Sequence, residues 1–512
     1  MTTEPPLPTP VNRTMITLTV MLAAIMTMLD STIANVALPH MAGSMSASAD
    51  QINWVLTTYI IAAAIMTPVT GWFAGRIGVK RMFLIAIIGF TAASALCGAA
   101  QNLEQIVFFR ILQGMFGAGM MPLSQAVMLD TYPLRERGQA MAIWGMGVTV
   151  GPILGPMIGG WLTDDFSWRW VFYINLPIGA LCLAGVAAFL PPNNPTHRRP
   201  LDWFGFLLLA VALASFQLML DRGQQNDWFA SGETTAEGVI AASALWMFVI
   251  HTVTQRASFL PVALLRDRNF VTATLVNFSL GLLVFPVMAI LPPMLETLMG
   301  YPVFTTGLVT APRGLGSIVS MFMVGRIINR VDPRVLIIIG LGVFAVSFRA
   351  MSHFSLDMDS SLVATTGFVQ GLGTGMVFTP VTVLAFGTLT PDLRPDATGF
   401  FALLRSVGNS AGISLMQTAY TRLGQTVHSR LAAGLSPENP IARAPDLAAP
   451  LSLTTQDGMM ALNEEATRQA SMVAYVDLYH ALFLVALAIM PLILFLRPIG
   501  MASTGPPPSV EH

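Results

Sequence analysis

Asp30 and Arg110 are the residues of this 512-residue chain whose types and surroundings best suit the movement of a proton. Asp30 stands in Leu29-Asp30-Ser31-Thr32-Ile33-Ala34-Asn35, deep within an apolar run. A charge at membrane depth costs roughly 2.5 to 3.5 kcal/mol on insertion scales, so it calls for a cavity or a partner. Desolvation and a nearby cation act on a buried carboxyl in opposite directions, and that balance lets such a group load and release protons. Arg110, in Phe109-Arg110-Ile111-Leu112-Gln113-Gly114, is the obvious partner. The structural alternatives are an Asp tied to backbone amides at a helix break and an Arg that donates to buried carbonyls.

Arg405 lies mid-way along a later apolar run, where it is either structural or anion-facing. Arg313 sits nearer the end of its run, and Glu296 is either an interfacial residue or a second proton site. Polar and aromatic residues on the core helices, namely Asn35, Trp54, Gln113, Trp144, Phe285, Gln370 and Phe378, are candidates for lining a cavity together with Arg405. The 32 methionines and 30 phenylalanines suit a site for varied lipophilic ligands, although most of them must pack helices or face lipid.

Two backbone motifs accompany these side chains. Gly147, Gly151, Pro152, Gly155, Pro156 and Gly159 form a flat stripe at four-residue spacing, which lets a second helix approach closely, while each proline removes a backbone donor. Gly71, Gly75, Arg76, Gly78, Lys80 and Arg81 make a tight basic turn between two apolar runs. That turn either serves topology alone or holds neighbouring helix ends together in one transport state.

The elements that must carry these residues are set by composition. Hydrophobic residues make up 54% of the chain and charged ones 10%, against about 25% charged in an ordinary soluble domain. The net charge of -1 offers nothing to neutralise a phosphate backbone, so nucleic acid is not an expected partner. Cys97 and Cys182, both in apolar runs, cannot build a disulfide framework or a metal knuckle, and no metal or other cofactor is expected. The single lysine, Lys80, follows Val79, so the G-x-x-x-x-G-K-[ST] phosphate loop cannot occur. Gly408-Asn409-Ser410-Ala411-Gly412 matches G-x-S-x-G but falls inside a hydrophobic helix instead of a strand-to-helix elbow, and the chain is not expected to be an enzyme.

Apolar runs of about 18 to 25 residues, enough to cross ~30 Å of hydrocarbon, start near Thr14, Gln51, Met82, Glu104, Gly138, Trp168, Leu201, Ala236, Asn269, Phe304, Val335, Ser361, Ala397 and Ala474. The expected fold is therefore an all-α polytopic membrane protein of fourteen helices. The eighth and eleventh runs are the weakest. Basic residues separate between alternate connections as the positive-inside rule requires. One side holds Arg13, Arg76, Lys80, Arg81, Arg135, Arg137, Arg198, Arg199, Arg256, Arg266, Arg268, Arg326, Arg330, Arg334, Arg394 and Arg497; the other holds Arg169, Arg222, Arg349, Arg422, Arg430, Arg443 and Arg468. Both termini are expected in the cytoplasm.

Gly75-Arg76-Ile77 recurs as Gly325-Arg326-Ile327, Gln113-Gly114 with Pro122 as Gln370-Gly371 with Pro380, and Gly138, Gly147 and Gly151 as Gly399, Gly408 and Gly412. Helix n thus pairs with helix n+8. The expected organisation is a cytoplasmic tail over 1–13, a six-helix half over 14–192, two inserted helices over 200–255, a second half over 266–497 carrying an outer loop at 421–473, and a tail over 498–512. Repeated halves around a midplane site are a route to alternating access.

These residues resemble the major facilitator superfamily, in particular its fourteen-helix drug:proton antiporter branch. The Asp30 segment is similar to that branch's first-helix motif, the Arg110 segment to its fourth-helix motif and the Gly-Pro stripe to the motif associated with antiport; Trp168 to Gly179 resembles its sixth-helix signature. The segment Asp221 to Phe229 and the outer loop resemble the inner-membrane subunit of tripartite multidrug efflux pumps. The resemblance implies export of lipophilic or amphipathic compounds in exchange for protons across the inner membrane, with a periplasmic adaptor and an outer-membrane channel as partners. It departs at Gly75, where the family's loop motif usually carries an acidic residue, so a charge relay from that position does not carry over. A dedicated exporter of one metabolite, such as a siderophore or fatty acid, would share every motif, and a non-transporting sensor or scaffold would need only the helices.

Overall fold

The computed structural model describes residues 10–133, 135–192, 200–255, 258, 260–390, 393–434 and 455–497. Fourteen long helices run through them. They are α1 Asn12–Met45, α2 Trp54–Ile77, α3 Val79–Ala99, α4 Leu103–Thr131, α5 Arg137–Asp165, α6 Trp170–Phe189, α7 Trp203–Arg222 and α8 Gly232–Thr254. There follow α9 Arg268–Leu298, α10 Phe304–Ile327, α11 Pro333–Met351 and α12 Ser360–Gly387. The last two are α13 Arg394–Gly434 and α14 Gln456–Phe495. Thirteen of the fourteen are long and apolar enough to cross a membrane, including the two weakest runs, α8 and α11. The remaining one, α13, has length to spare at 41 residues but is too polar along it. The protein is an all-α, multi-pass membrane protein.

Many helix starts are written locally. Asn102, Asp202, Ser231, Asp267, Asp332, Asp359 and Thr455 each cap the helix that follows by accepting a hydrogen bond from a backbone N–H of its first turn. The Arg334 guanidinium, bonded to Asp332, holds that carboxyl below the usual carboxylate range. Gly78, at φ 92°, makes the sharp turn between α2 and α3 that a side chain would strain.

The first and last described segments, near Arg13 and Arg497, lie at one end of the bundle, called the terminus end below. Arg13 reaches Glu136 at 3.4 Å, and the backbone N–H of Arg497 donates to Asn269 at 2.8 Å. Asn329 then donates to the Arg135 carbonyl at 2.7 Å, joining the α10–α11 connection to the α4–α5 connection at that same end. The N-terminal tail up to residue 9, Arg198, Arg199, Arg256, Arg443, the tip of the outer segment at 435–454 and the tail from 498 lie outside the described residues.

The outer segment differs from a loop. α13 continues to Gly434 and α14 begins at Gln456, so the two helices, about 60 Å long each at 1.5 Å per residue, run well beyond ~30 Å of hydrocarbon. They stay paired beyond the apolar layer through Tyr420 against Tyr475 at 4.5 Å and His428 bonded to Asn463 at 3.1 Å. The reason is compositional: this stretch keeps helix-forming residues while losing the apolar ones, so an apolarity reading stops where the helix does not.

Candidate functional site

The stripe on α5 is met by α1. A methyl group on Gly151 would stand 2.8 Å from Met28 Cβ, and one on Gly159 2.8 Å from Ile33 Cγ1. Gly147 and Gly155 face Met21 and Thr32 in the same way, and Pro152 and Pro156 lie inside one continuous helix. The same pairing recurs eight helices later, where Gly408 and Gly412 on α13 abut Phe278 and Pro286 on α9. Likewise Gly114 on α4 lies against the Tyr59 carbonyl of α2, and Gly371 on α12 against the Arg313 carbonyl of α10.

Close approach of α1 places Asp30 inside the first six helices, where its carboxylate is fully buried. Arg110 Nη1 donates to Asp30 Oδ2 at 2.8 Å. Gln113 Nε2 and Asn175 Nδ2 both donate to Oδ1, at 2.8 and 2.7 Å. Arg110 also donates through Nε to the Val55 carbonyl at 3.0 Å and through Nη1 to Gln113 Oε1 at 2.8 Å, and its guanidinium lies over the Tyr59 ring at 4.1 Å. Behind them Asn175 bonds Ser94 Oγ at 3.0 Å, and Ser94 donates to the Phe172 carbonyl at 2.9 Å. Five helices, α1, α2, α3, α4 and α6, therefore converge on one buried ion pair. Both carboxylate oxygens accept from Arg110, Gln113 or Asn175, while Arg110 Nη2 and Asn175 Oδ1 are buried without a partner among the described residues; a proton arriving on Asp30 turns an acceptor into a donor and has to displace one of these bonds.

The sequence pointed to Asp30 and Arg110 as partners, but it assigned Gln113 to the cavity wall and missed Asn175, Ser94 and Tyr59. Asn175 was legible as an amide inside the apolar sixth run, and Ser94 as a hydroxyl in the third; which face each presents was not.

A second group forms between the first and last six helices. Trp144 on α5 stacks with Phe378 on α12, ring centres 6.2 Å apart and planes 15° from parallel, and donates its indole N–H to Ser124 at 2.6 Å. The Arg405 guanidinium of α13 lies over the other partner of the stack, 5.5 Å from the Phe378 ring. The remaining cavity candidates are dispersed: Gln370 is buried with neither amide atom bonded, Phe285 is half-buried on α9, and Asn35 and Trp54 are exposed toward the end opposite Arg13 and Arg497.

The basic turn contributes at the terminus end. Lys80 donates to the Ala187 carbonyl at 2.8 Å and Arg76 stacks on Trp72 at 5.2 Å, while Arg81 is exposed. A methyl on Gly71 would stand 2.6 Å from Asp396 Oδ1, so α2 meets the start of α13 there; Gly75 faces open space. Arg394 beside that contact donates to Asp130 of α4 at 2.7 Å. Together with the Asn329–Arg135 bond, these contacts join the first and last six helices at the terminus end of the bundle.

Residues 20–413 match the model of the Major Facilitator Superfamily. The chain is 34% identical over 493 residues to the fatty acid resistance protein FarB of Neisseria gonorrhoeae, covering 94% of this chain and 96% of the relative. It is 33% identical over 492 residues to the multidrug export protein EmrB of Escherichia coli (strain K12), covering 96% of each. Among solved structures, the human organic anion transporter MFSD10 (TETRAN) superposes with a TM-score of 0.61 at 14% identity, covering 94% of this chain and all of that one. The proton:xylose symporter XylE superposes with a TM-score of 0.58 at 14% identity, over 93% and 95% of the two chains. From the Asp30 cluster on α1 to the paired glycine contacts of α9 and α13, this chain belongs to the Major Facilitator Superfamily.

Proposed function

We propose that this protein is a proton-coupled exporter of lipophilic or amphipathic drugs and toxic compounds. The observation that carries the reading is the Asp30–Arg110 pair, fully buried and held by two amides at the convergence of five helices. With Asp30 ionised, Arg110, Gln113 and Asn175 bind α1, α4 and α6 to one another. Protonation cancels the carboxylate charge, frees the guanidinium and loosens that junction, so proton arrival and helix rearrangement become one event. One proton moving inward down 100 mV supplies about 2.3 kcal/mol, enough for roughly fifty-fold concentration of a neutral compound.

The halves are 14–192 and 266–497, with the inserted pair 200–255 beside them, and transport alternates access to the group at Trp144, Phe378 and Arg405. The terminus end is cytoplasmic in this reading, the membrane is the inner membrane, and the contacts of Arg394, Asn329 and Gly71 represent the state closed to the cytoplasm. The long α13–α14 hairpin then projects into the periplasm, where a membrane-fusion adaptor leading to an outer-membrane channel would engage it. The reading involves no catalytic group.

The decisive experiment is Asp30→Asn in inverted vesicles. Proton-driven export of a dye is lost and counterflow of substrate without a gradient is retained; unchanged proton-driven export overturns the coupling role. A second reading, a dedicated exporter of one metabolite, is favoured by the likeness to a protein named for fatty acid resistance. A resistance panel separates the two, since a multidrug exporter protects against several unrelated compounds.

A further inference from the structure

Arg405 stands eleven residues into α13, about 16 Å from its start and so near the middle of ~30 Å of hydrocarbon. Unlike Arg110, which is matched by Asp30, it has no ion pair and no hydrogen bond among the described residues, and no carboxylate faces it. The Arg405 side chain is half-buried, and its guanidinium lies over a Phe378 ring that itself stacks on Trp144 across the boundary between the first and last six helices, which places it inside the bundle. A charge held at this depth without a partner marks a pathway for something that supplies one.

Its neighbours define the rest of the ligand. The ring beneath the guanidinium is Phe378, whose stack with Trp144 spans the boundary between the first and last six helices. Trp144 is fully buried and donates its N–H to Ser124, so it backs the half-buried Phe378 ring as apolar support and leaves no donor there. Arg313 on α10 adds a second guanidinium with Nε and Nη2 buried and unpartnered, against Tyr479 of α14. The last six helices thus carry two uncompensated positive charges in a low-dielectric interior, a field that favours an anion and opposes a cation.

We infer that Arg405, with Phe378 backed by Trp144, is a head-group site for organic anions: amphipathic substrates bearing a carboxylate or sulfonate bind with the anionic group on the guanidinium and the apolar body along the Phe378 ring. The planar fork of Arg pairs both oxygens of such a group at once. The transport consequence rests on the export reading above, while the binding itself does not.

The test is equilibrium binding to the purified full-length chain in nanodiscs, with no gradient, of three probes sharing one ring system: naphthalene-1-acetate, its amide and naphthalene-1-methylammonium. The acetate is expected to bind tightest and the ammonium weakest. Arg405→Gln is expected to weaken acetate by about thirty-fold or more while leaving the amide nearly unchanged. Arg405→Lys, a charge without the fork, is expected to restore part of the loss and so separates a head-group contact from a packing role. Equal binding of the three probes to the unaltered chain, no binding of any, or an acetate preference that survives Arg405→Gln overturns the site. If Arg405→Gln does not fold, the order of the three probes and the Arg405→Lys affinity decide. If the anion site behaves as expected and Asp30→Asn leaves proton-driven export intact, the coupling reading falls and the site stands.

Discussion

At the scale of single residues, the Asp30–Arg110 pair makes an asymmetric demand. Removing one member leaves the other charge buried and alone, which costs about 3 to 5 kcal/mol, whereas replacing both by neutral polar groups leaves the cluster with bonds to make. Arg110→Gln is therefore expected to destabilise the protein far more than Asp30→Asn with Arg110→Gln together. Thermal unfolding of the three variants and the parent in one detergent reads the coupling directly, and additive losses would count against a tight buried pair. The pair was legible in the sequence because an acid and a base in apolar runs of a charge-poor chain each lower their burial cost by meeting. Asn175 and Ser94 were not, since an amide or hydroxyl is cheap enough to bury alone on a helix and gives no sign of its target.

Helices impose a different constraint, that of approach. The α1–α5 contact depends on the absence of side chains at Gly151 and Gly159, where backbone and Cβ atoms of α1 fill the space. Gly151→Val would push Met28 and the Leu29 backbone apart, and overpacking of this kind costs about 1 to 3 kcal/mol. Gly160→Ala, one residue past the stripe with nothing near it, is the matched control and is expected to melt within a degree or two of the parent, a shift that stays under about 0.5 kcal/mol. Equal melting of the two variants would mean that the stripe is not a packing surface. The stripe's partner was open at the level of sequence, because four-residue glycine spacing fixes the face of one helix and says nothing of the other. Helix number was nearly all legible from apolar length; α13 and α14 overran it because helical backbone needs apolar residues only inside the bilayer.

For the whole molecule, the signs of the buried charges decide how transport responds to voltage. Exchange of one inward proton for a neutral compound carries one positive charge inward. Exchange for an anion held at Arg405 carries the equivalent of two, since the negative charge leaves as the positive one enters. Each contributes about 2.3 kcal/mol per 100 mV, so an interior-negative potential of that size drives an anion to roughly the square of the fifty-fold limit for a neutral analogue. In proteoliposomes with a potassium diffusion potential, naphthalene-1-acetate export is expected to rise about twice as steeply with voltage, on a logarithmic scale, as export of the amide. Equal slopes would mean that the anion crosses protonated or with a companion cation. A steeper slope for the acetate that survives in Arg405→Gln would place the charge movement elsewhere in the bundle, with Arg313, the other uncompensated guanidinium, as the first residue to exchange.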